Sequence, residues 1–256
     1  MRLAPGKLSL AHLRSFTLSR ELLSLDESTR RELAAGAGAV ARIVAEGKPV
    51  YGINTGFGKL AQTHIAAGEL ELLQRNLVLS HSVGVGALLP DETVRLVMLL
   101  KVASLARGFS GVRPQVVDMM VALLNAGIHP CIPSKGSVGA SGDLAPLAHM
   151  TAAMMGWGKV RREGRIMPAA EGLAEVELAP ITLGPKEGLA LLNGTQVSTA
   201  LALQGLFATR NLFDAALVAG AMSSGAIFPA AIRLSRITGV GTALRYAPSS
   251  NTTISA

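Results

Sequence analysis

The stretch Gly136-Ser137-Val138-Gly139-Ala140-Ser141-Gly142-Asp143 gathers residues whose types and spacing could do chemistry. A phosphate-cradling loop needs lysine after its last glycine, and Asp143 stands there instead; a dinucleotide fingerprint needs Gly-x-Gly-x-x-Gly, whereas these glycines recur at intervals of three. A hydrolase nucleophile elbow needs glycine two residues after its serine, and that place is again taken by Asp143. The triplet Ala140-Ser141-Gly142 permits a different reaction. Glycine reaches backbone angles closed to other residues and leaves its nitrogen unhindered. The Gly142 nitrogen can therefore attack the Ala140 carbonyl carbon and close a five-membered ring. Loss of one water gives an imidazolinone. Loss of the Ser141 hydroxyl as a second water leaves an exocyclic methylidene, an electrophile that no encoded side chain supplies. The plain alternative is a glycine-rich turn in which Ser141 or Asp143 caps the next helix.

The residues around the triplet bear on that choice. GSVGASGDLAPLAHM, Gly136 to Met150, resembles the active-site signature of the aromatic amino-acid ammonia-lyases and aminomutases. The resemblance continues in YGINTGFG (Tyr51 to Gly58), QRNLVLSHSVGVG (Gln74 to Gly86) and KEGLALLNGTQ (Lys186 to Gln196). It implies that Ala140, Ser141 and Gly142 form 4-methylidene-imidazol-5-one (MIO) autocatalytically, with no dissociable cofactor and no metal. The reaction implied is elimination of ammonia from an aromatic α-amino acid. Such a reaction needs an electrophile to turn the amine into a leaving group and a base for the weakly acidic β-proton. Tyr51 matches the family's catalytic tyrosine. Asn193 matches the asparagine near the ring and the substrate carboxylate, where an amide donates and accepts without adding charge. Ser80-His81 resembles the pair of the histidine-selective members, so L-histidine is the expected substrate, trans-urocanate the expected product, and His81 the expected contact to the substrate imidazole. Other pairs at this place accompany tyrosine or phenylalanine as substrate, which leaves another MIO lyase or aminomutase as the alternative. His12, His64, His129 and His149 show no metal-ligand spacing and receive no role.

The elements that must position these groups read mostly as helix. Asp26 caps a helix to Glu46, and further helices are expected over Glu69–Val83, Glu92–Arg107 and Val116–Asn125, the last with Pro114 at its start. Lys186 to Arg210 or beyond reads as one long helix after Pro185. Val94, Val97, Met98, Lys101 and Leu105 form a mostly apolar stripe. Strands are few: Val50–Ile53 reads as extended, and Lys159–Pro168 as a small hairpin around Glu163-Gly164. Glycine-rich loops are expected at Tyr51–Lys59, Ser82–Gly86 and Ser134–Asp143. The expected fold class is mainly α, a helical MIO-lyase-like amino-terminal region with a small β-hairpin. Members of the resembled family run to roughly twice this length, within the range of two-domain chains. The expected chain is therefore truncated before the long-helix core that builds a homotetramer, and a catalytically inactive fragment is the alternative to an active lyase.

Composition narrows the class further. The 256 residues are 49% hydrophobic and only 16% charged, which excludes dominant disorder. A single cysteine, Cys131, excludes a disulfide framework and suits a reducing, cytoplasmic setting. The stretches Gly188–Thr209 and Ala215–Ile232 carry no charge, and both read as buried helices of a large bundle rather than membrane spans. The net charge of +7 is uneven: no Asp or Glu follows Asp214. From about Ser224 onward the resemblance stops. Residues 1–223 are expected to form the lyase-like region and 224–256 a tail that a frameshift near residue 223 would explain. No nucleic-acid module is recognisable, so the positive charge is not taken as a nucleic-acid signal.

Overall fold

A computed structural model of the chain describes residues 1–19, 21–56 and 63–227, with side chains through 223. Phe57, Gly58 and Lys59 of the first glycine-rich loop, and the tail beyond Ile227, lie outside the described residues. In chain order the elements are β1 (Arg2–Leu3), α1 (Leu10–Leu18), β2 (Ser24–Leu25) and α2 (Glu27–Glu46). A 3-10 turn at Ala67–Glu69 leads into α3 (Leu70–His81), β3 (Val85–Leu88), α4 (Asp91–Leu105) and α5 (Pro114–Asn125). Then come β4 (His129–Pro130), β5 (Pro133–Lys135), α6 (Leu144–Met154), the hairpin β6 (Lys159–Arg162) and β7 (Arg165–Pro168), α7 (Ala169–Ala174), α8 (Glu187–Leu192) and α9 (Gln196–Ile227). The fold is mainly α.

The core sits around α4 because its sequence is apolar on nearly every side. Val94, Leu96, Val97, Met98, Leu99, Val102 and Leu105 are all buried, and α1, α5 and α9 pack against them. The acidic Asp91 and Glu92 occupy the first turn of α4, where they complement the positive end of the helix. A second packing unit consists of α3, α6 and α8, each in contact with the other two. Its middle member, α6, is built from small and flexible apolar residues (Ala145, Leu147, Ala148, Met150, Ala152, Ala153, Met154), all buried. This unit carries the site, since His81 ends α3, the Gly136–Asp143 loop leads into α6, and Asn193 ends α8.

Three small sheets tie the helices together. β1 pairs in parallel with β2, β3 antiparallel with β5, and β4 extends the β6–β7 hairpin to three strands. The hairpin lies where the alternation over Lys159–Pro168 predicts it, turning at Glu163-Gly164. Its arginines are paired: Arg161 with Asp91, and Arg162 and Arg165 both with Glu175.

Three expectations are corrected. Val50–Ile53 is a turn and not a strand, because the Val50 carbonyl accepts from the amides of Ile53 and Asn54 while the Asn54 side chain closes the same segment. The helix expected over Lys186–Arg210 is broken between Leu192 and Gln196, where Asn193 turns to an extended backbone. The described part of the uncharged stretch starting at Ala215 is not buried within this chain: α9 is exposed from Ala208 through Ser223. Among the described residues no helix is long and apolar enough to cross a membrane.

Candidate active site

The loop between β5 and α6 is shaped by what it must approach. Gly142 has φ +86, and a Cβ there would overlap the Gly194 carbonyl oxygen; any other residue would be strained and would clash. The two glycines form a parallel bridge, and the Asp143 amide donates to the Gly194 carbonyl at 2.7 Å. Ala140 and Ser141 remain exposed on the outer side of this clasp. The Ser141 hydroxyl donates to Asn193 Oδ1 at 3.0 Å. The break between α8 and α9 therefore has a purpose that the helical pattern conceals: it releases Asn193 and Gly194 from helical pairing to engage the triplet.

Asp143 secures the loop from below. Its buried carboxylate accepts from the Ser137 hydroxyl at 2.7 Å, the Ser198 hydroxyl at 2.6 Å and the Ser198 amide at 2.8 Å. Burial alone would raise this carboxyl, but the bonds from Ser198 and Ser137 outweigh it and hold it below the usual carboxylate range. Asp143 also stands at the N-cap position of α6, yet its side chain serves the first turn of α9 instead. The cap expected of this residue exists, on a different helix.

The segments that carry His81 and Tyr51 pack on α6 and α8 respectively. His81 Nδ1 lies 2.8 Å from the Leu77 carbonyl oxygen, which can only accept, so the proton sits on Nδ1. In the neutral ring this leaves Nε2 as an acceptor. The turn after His81 touches the start of the loop: a Cβ on Gly136 would lie 3.0 Å from Gly84 Cα, and the Gly84 amide donates to His149 Nε2 of α6 at 3.0 Å. Tyr51 is 59% exposed on a turn that Asn54 braces, accepting from the Val50 amide at 2.7 Å and donating to the Lys48 carbonyl at 2.9 Å. Gly52, at φ +76, seats that turn on Leu189 of α8 with no room for a side chain. The structure thus joins Ser141 directly to Asn193, while the segment of Tyr51 packs on α8 through Gly52 and His81 ends α3.

The family model described as aromatic amino acid lyase matches residues 8–229. The chain belongs to the aromatic amino acid lyase family. A histidine ammonia-lyase of Aromatoleum aromaticum is 60% identical over 221 residues, covering 86% of this chain and 42% of that protein. Two solved members have the same fold. A phenylalanine aminomutase of Pantoea agglomerans gives a TM-score of 0.79 at 30% identity, covering 85% of this chain and 42% of the other. A histidine ammonia-lyase from Trypanosoma cruzi gives 0.75 at 34% identity, covering 83% and 41%. The chain spans less than half the length of the curated relatives it matches.

Some residues that shape this site are given no role by their sequence context alone. Lys101 appears in the pattern only as a lysine inside an apolar stripe, which is itself the signal. Glu187 is buried and accepts from the Arg113 amide and guanidinium and from the Gly184 amide, so it fixes where α8 begins. Gln74 of α3 accepts from the Gly188 amide at 3.0 Å, holding the helix of His81 to the helix of Asn193. Both residues lie inside the resembling segments, but their partners are far away in the chain, so no local spacing shows what they hold.

Proposed function

We propose that this chain is the electrophile-bearing region of a histidine ammonia-lyase, which converts L-histidine to trans-urocanate and ammonia. The observation that carries the reading is the clasp of Ala140-Ser141-Gly142 on Asn193-Gly194, in a chain 60% identical to a histidine ammonia-lyase. The residues fit the group that the family implies. Gly142 stands where only glycine is accommodated, and the hydroxyl that would leave as water is held by an amide. Ala140, Ser141 and Gly142 would form MIO, which supplies an electrophile for the substrate amine.

The family resemblance suggests roles for the other residues. Asn193 orients the Ser141 side of the triplet and offers its amide to the substrate carboxylate. His81, with its proton held on Nδ1 by Leu77, presents Nε2 to an imidazole N–H of the substrate. Tyr51 takes the β-proton; its exposed turn leaves the phenol reachable from outside this chain. The same reading carries a cytoplasmic protein without a nucleic-acid or membrane partner, and a homotetramer for the full-length family member, to which the exposed apolar residues of α9 would contribute. It also keeps residues 1–223 as the lyase-like region and 224–256 as a tail of different origin; the family match ends at residue 229 and leaves 230–256 outside it, which supports a change of origin close to that boundary. Sequencing the gene tests the tail: lyase sequence in another frame beyond residue 223 is expected, and its absence removes the frameshift.

Intact mass and turnover test the function together. The expected chain is lighter than its sequence by two waters and forms urocanate, followed by its absorbance, from L-histidine in preference to tyrosine or phenylalanine. A lighter chain without turnover identifies a catalytically silent fragment. Preference for tyrosine or phenylalanine identifies another lyase or aminomutase. An unchanged mass without urocanate overturns the reading.

A further inference from the structure

The two-residue break that holds the triplet is itself held from behind. Lys101 lies on α4, which packs against α9, α5 and α1, and the residue is 1% exposed. Its ammonium donates to the Asn193 carbonyl oxygen at 2.6 Å. Among the described residues no carboxylate forms an ion pair with it. Burying an amine without a counter-charge is expensive, and such a group persists where its one strong bond does something specific. The carbonyl it meets belongs to the residue that ends α8, where helical pairing has stopped and a donor is needed.

We infer that Lys101 is a positioning residue that locks the Asn193–Gly194 break from the core side, so that the opposite side presents the Asn193 amide and the Gly194 carbonyl to the triplet. Asn193 and Gly194 are then bonded on both faces. Lys101 takes the Asn193 carbonyl, Ser141 takes the Asn193 amide oxygen, and Asp143 takes the Gly194 carbonyl. Removing the inner bond frees the Asn193–Gly194 peptide to rotate, and both outer bonds loosen together. The role in ring closure rests on the proposed function, while the geometric role does not.

Two variants test it in the full chain. Lys101→Met keeps the volume and removes the amine; Lys101→Gln keeps a polar amide but is one bond too short to span the contact. Hydrogen–deuterium exchange is followed at the Asp143 amide and over residues 193–199, beside the fraction of chains lighter by two waters. In both folded variants the Asp143 amide is expected to exchange about tenfold faster, as loss of a charge-assisted bond predicts. Exchange in α5 should stay at the wild-type rate, and the cyclised fraction should fall. Unchanged exchange at Asp143 in either folded variant overturns the inference. So does a uniform acceleration across α4 and α5, or failure of both variants to fold, since each makes Lys101 a core residue without a local task. If exchange responds as expected but the wild-type chain is not lighter by two waters, the positioning stands and the proposed function fails.

Discussion

Backbone ring closure of the kind proposed depends on one residue more than on any side-chain acid or base. At Gly142 a methyl group would meet the Gly194 carbonyl oxygen and force a left-handed backbone that other residues resist. Gly142→Ala is therefore expected to abolish the loss of two waters while costing about 1–3 kcal/mol of stability. Intact mass and a urea titration read the two effects separately, and a cyclised alanine variant would contradict the geometry. Lys101 gives a pH signature at the same scale. Burial pushes its ammonium down to about 7. Below that value both folded and unfolded chains carry the proton. Between about 7 and the ordinary lysine value near 10.4 the unfolded chain holds a proton that the folded chain does not, so stability gains with pH. The melting temperature of the wild-type chain relative to Lys101→Met is expected to rise from pH 6 to pH 9; a constant difference would show that the amine is not desolvated.

At the scale of elements, the helices that build the core were legible because their apolar residues recur at helical spacing. α2, α3, α4 and α5 lie within a few residues of the helices expected up to Glu46 and over Glu69–Val83, Glu92–Arg107 and Val116–Asn125. The break at Asn193 was not, because Leu189, Leu191, Leu192, Val197 and Ala200 continue an apolar pattern straight through it, and one glycine is a weak stop. What breaks the helix is tertiary: Lys101 and Asp143 bond the carbonyls of Asn193 and Gly194, groups that a continuous helix would have used itself. For the same reason the triplet and Asn193 were recognisable from local motifs, whereas Lys101, which holds the break from the core side, was not. The start of α8 is set in a similar way by Glu187, whose carboxylate gathers donors from Arg113 and Gly184. Glu187→Gln should weaken these charge-assisted bonds and lower the unfolding free energy by about 1.5–3 kcal/mol. Because Arg113 keeps contact with water, the loss should stay below the larger cost of stranding a fully buried charge. A urea midpoint unchanged from wild type would show that α8 is anchored elsewhere.

For the whole molecule, low charge and long uncharged runs are properties of a chain meant to bury more than it buries alone. Phe207 is the last buried residue of α9 among those described, and the helix beyond it is exposed through Ser223. Leu212 is 73% exposed and Met222 71%, with Phe213, Leu217 and Val218 exposed between them. Polar residues are sparse there, with Asn211 bonded to Arg14 and Asp214 the last acid in the sequence. A contiguous apolar helix of this length is an association surface, since isolated chains rarely leave such patches in water. The net charge of +7 opposes close approach of copies only at low salt, because exposed charges are screened beyond about 10 Å at 0.1 M ionic strength. Self-association is therefore expected to strengthen with salt. The triple variant Leu212→Gln, Leu217→Gln, Met222→Gln should remove it while leaving the α3–α6–α8 unit and its clasp unchanged, because those side chains lie beyond the last buried residue of α9. Sedimentation velocity at low and high salt, paired with exchange at the Asp143 amide, decides the matter. A wild-type chain monomeric at high salt would show that the α9 face does not drive assembly, and altered exchange in the triple variant would show that the site depends on it.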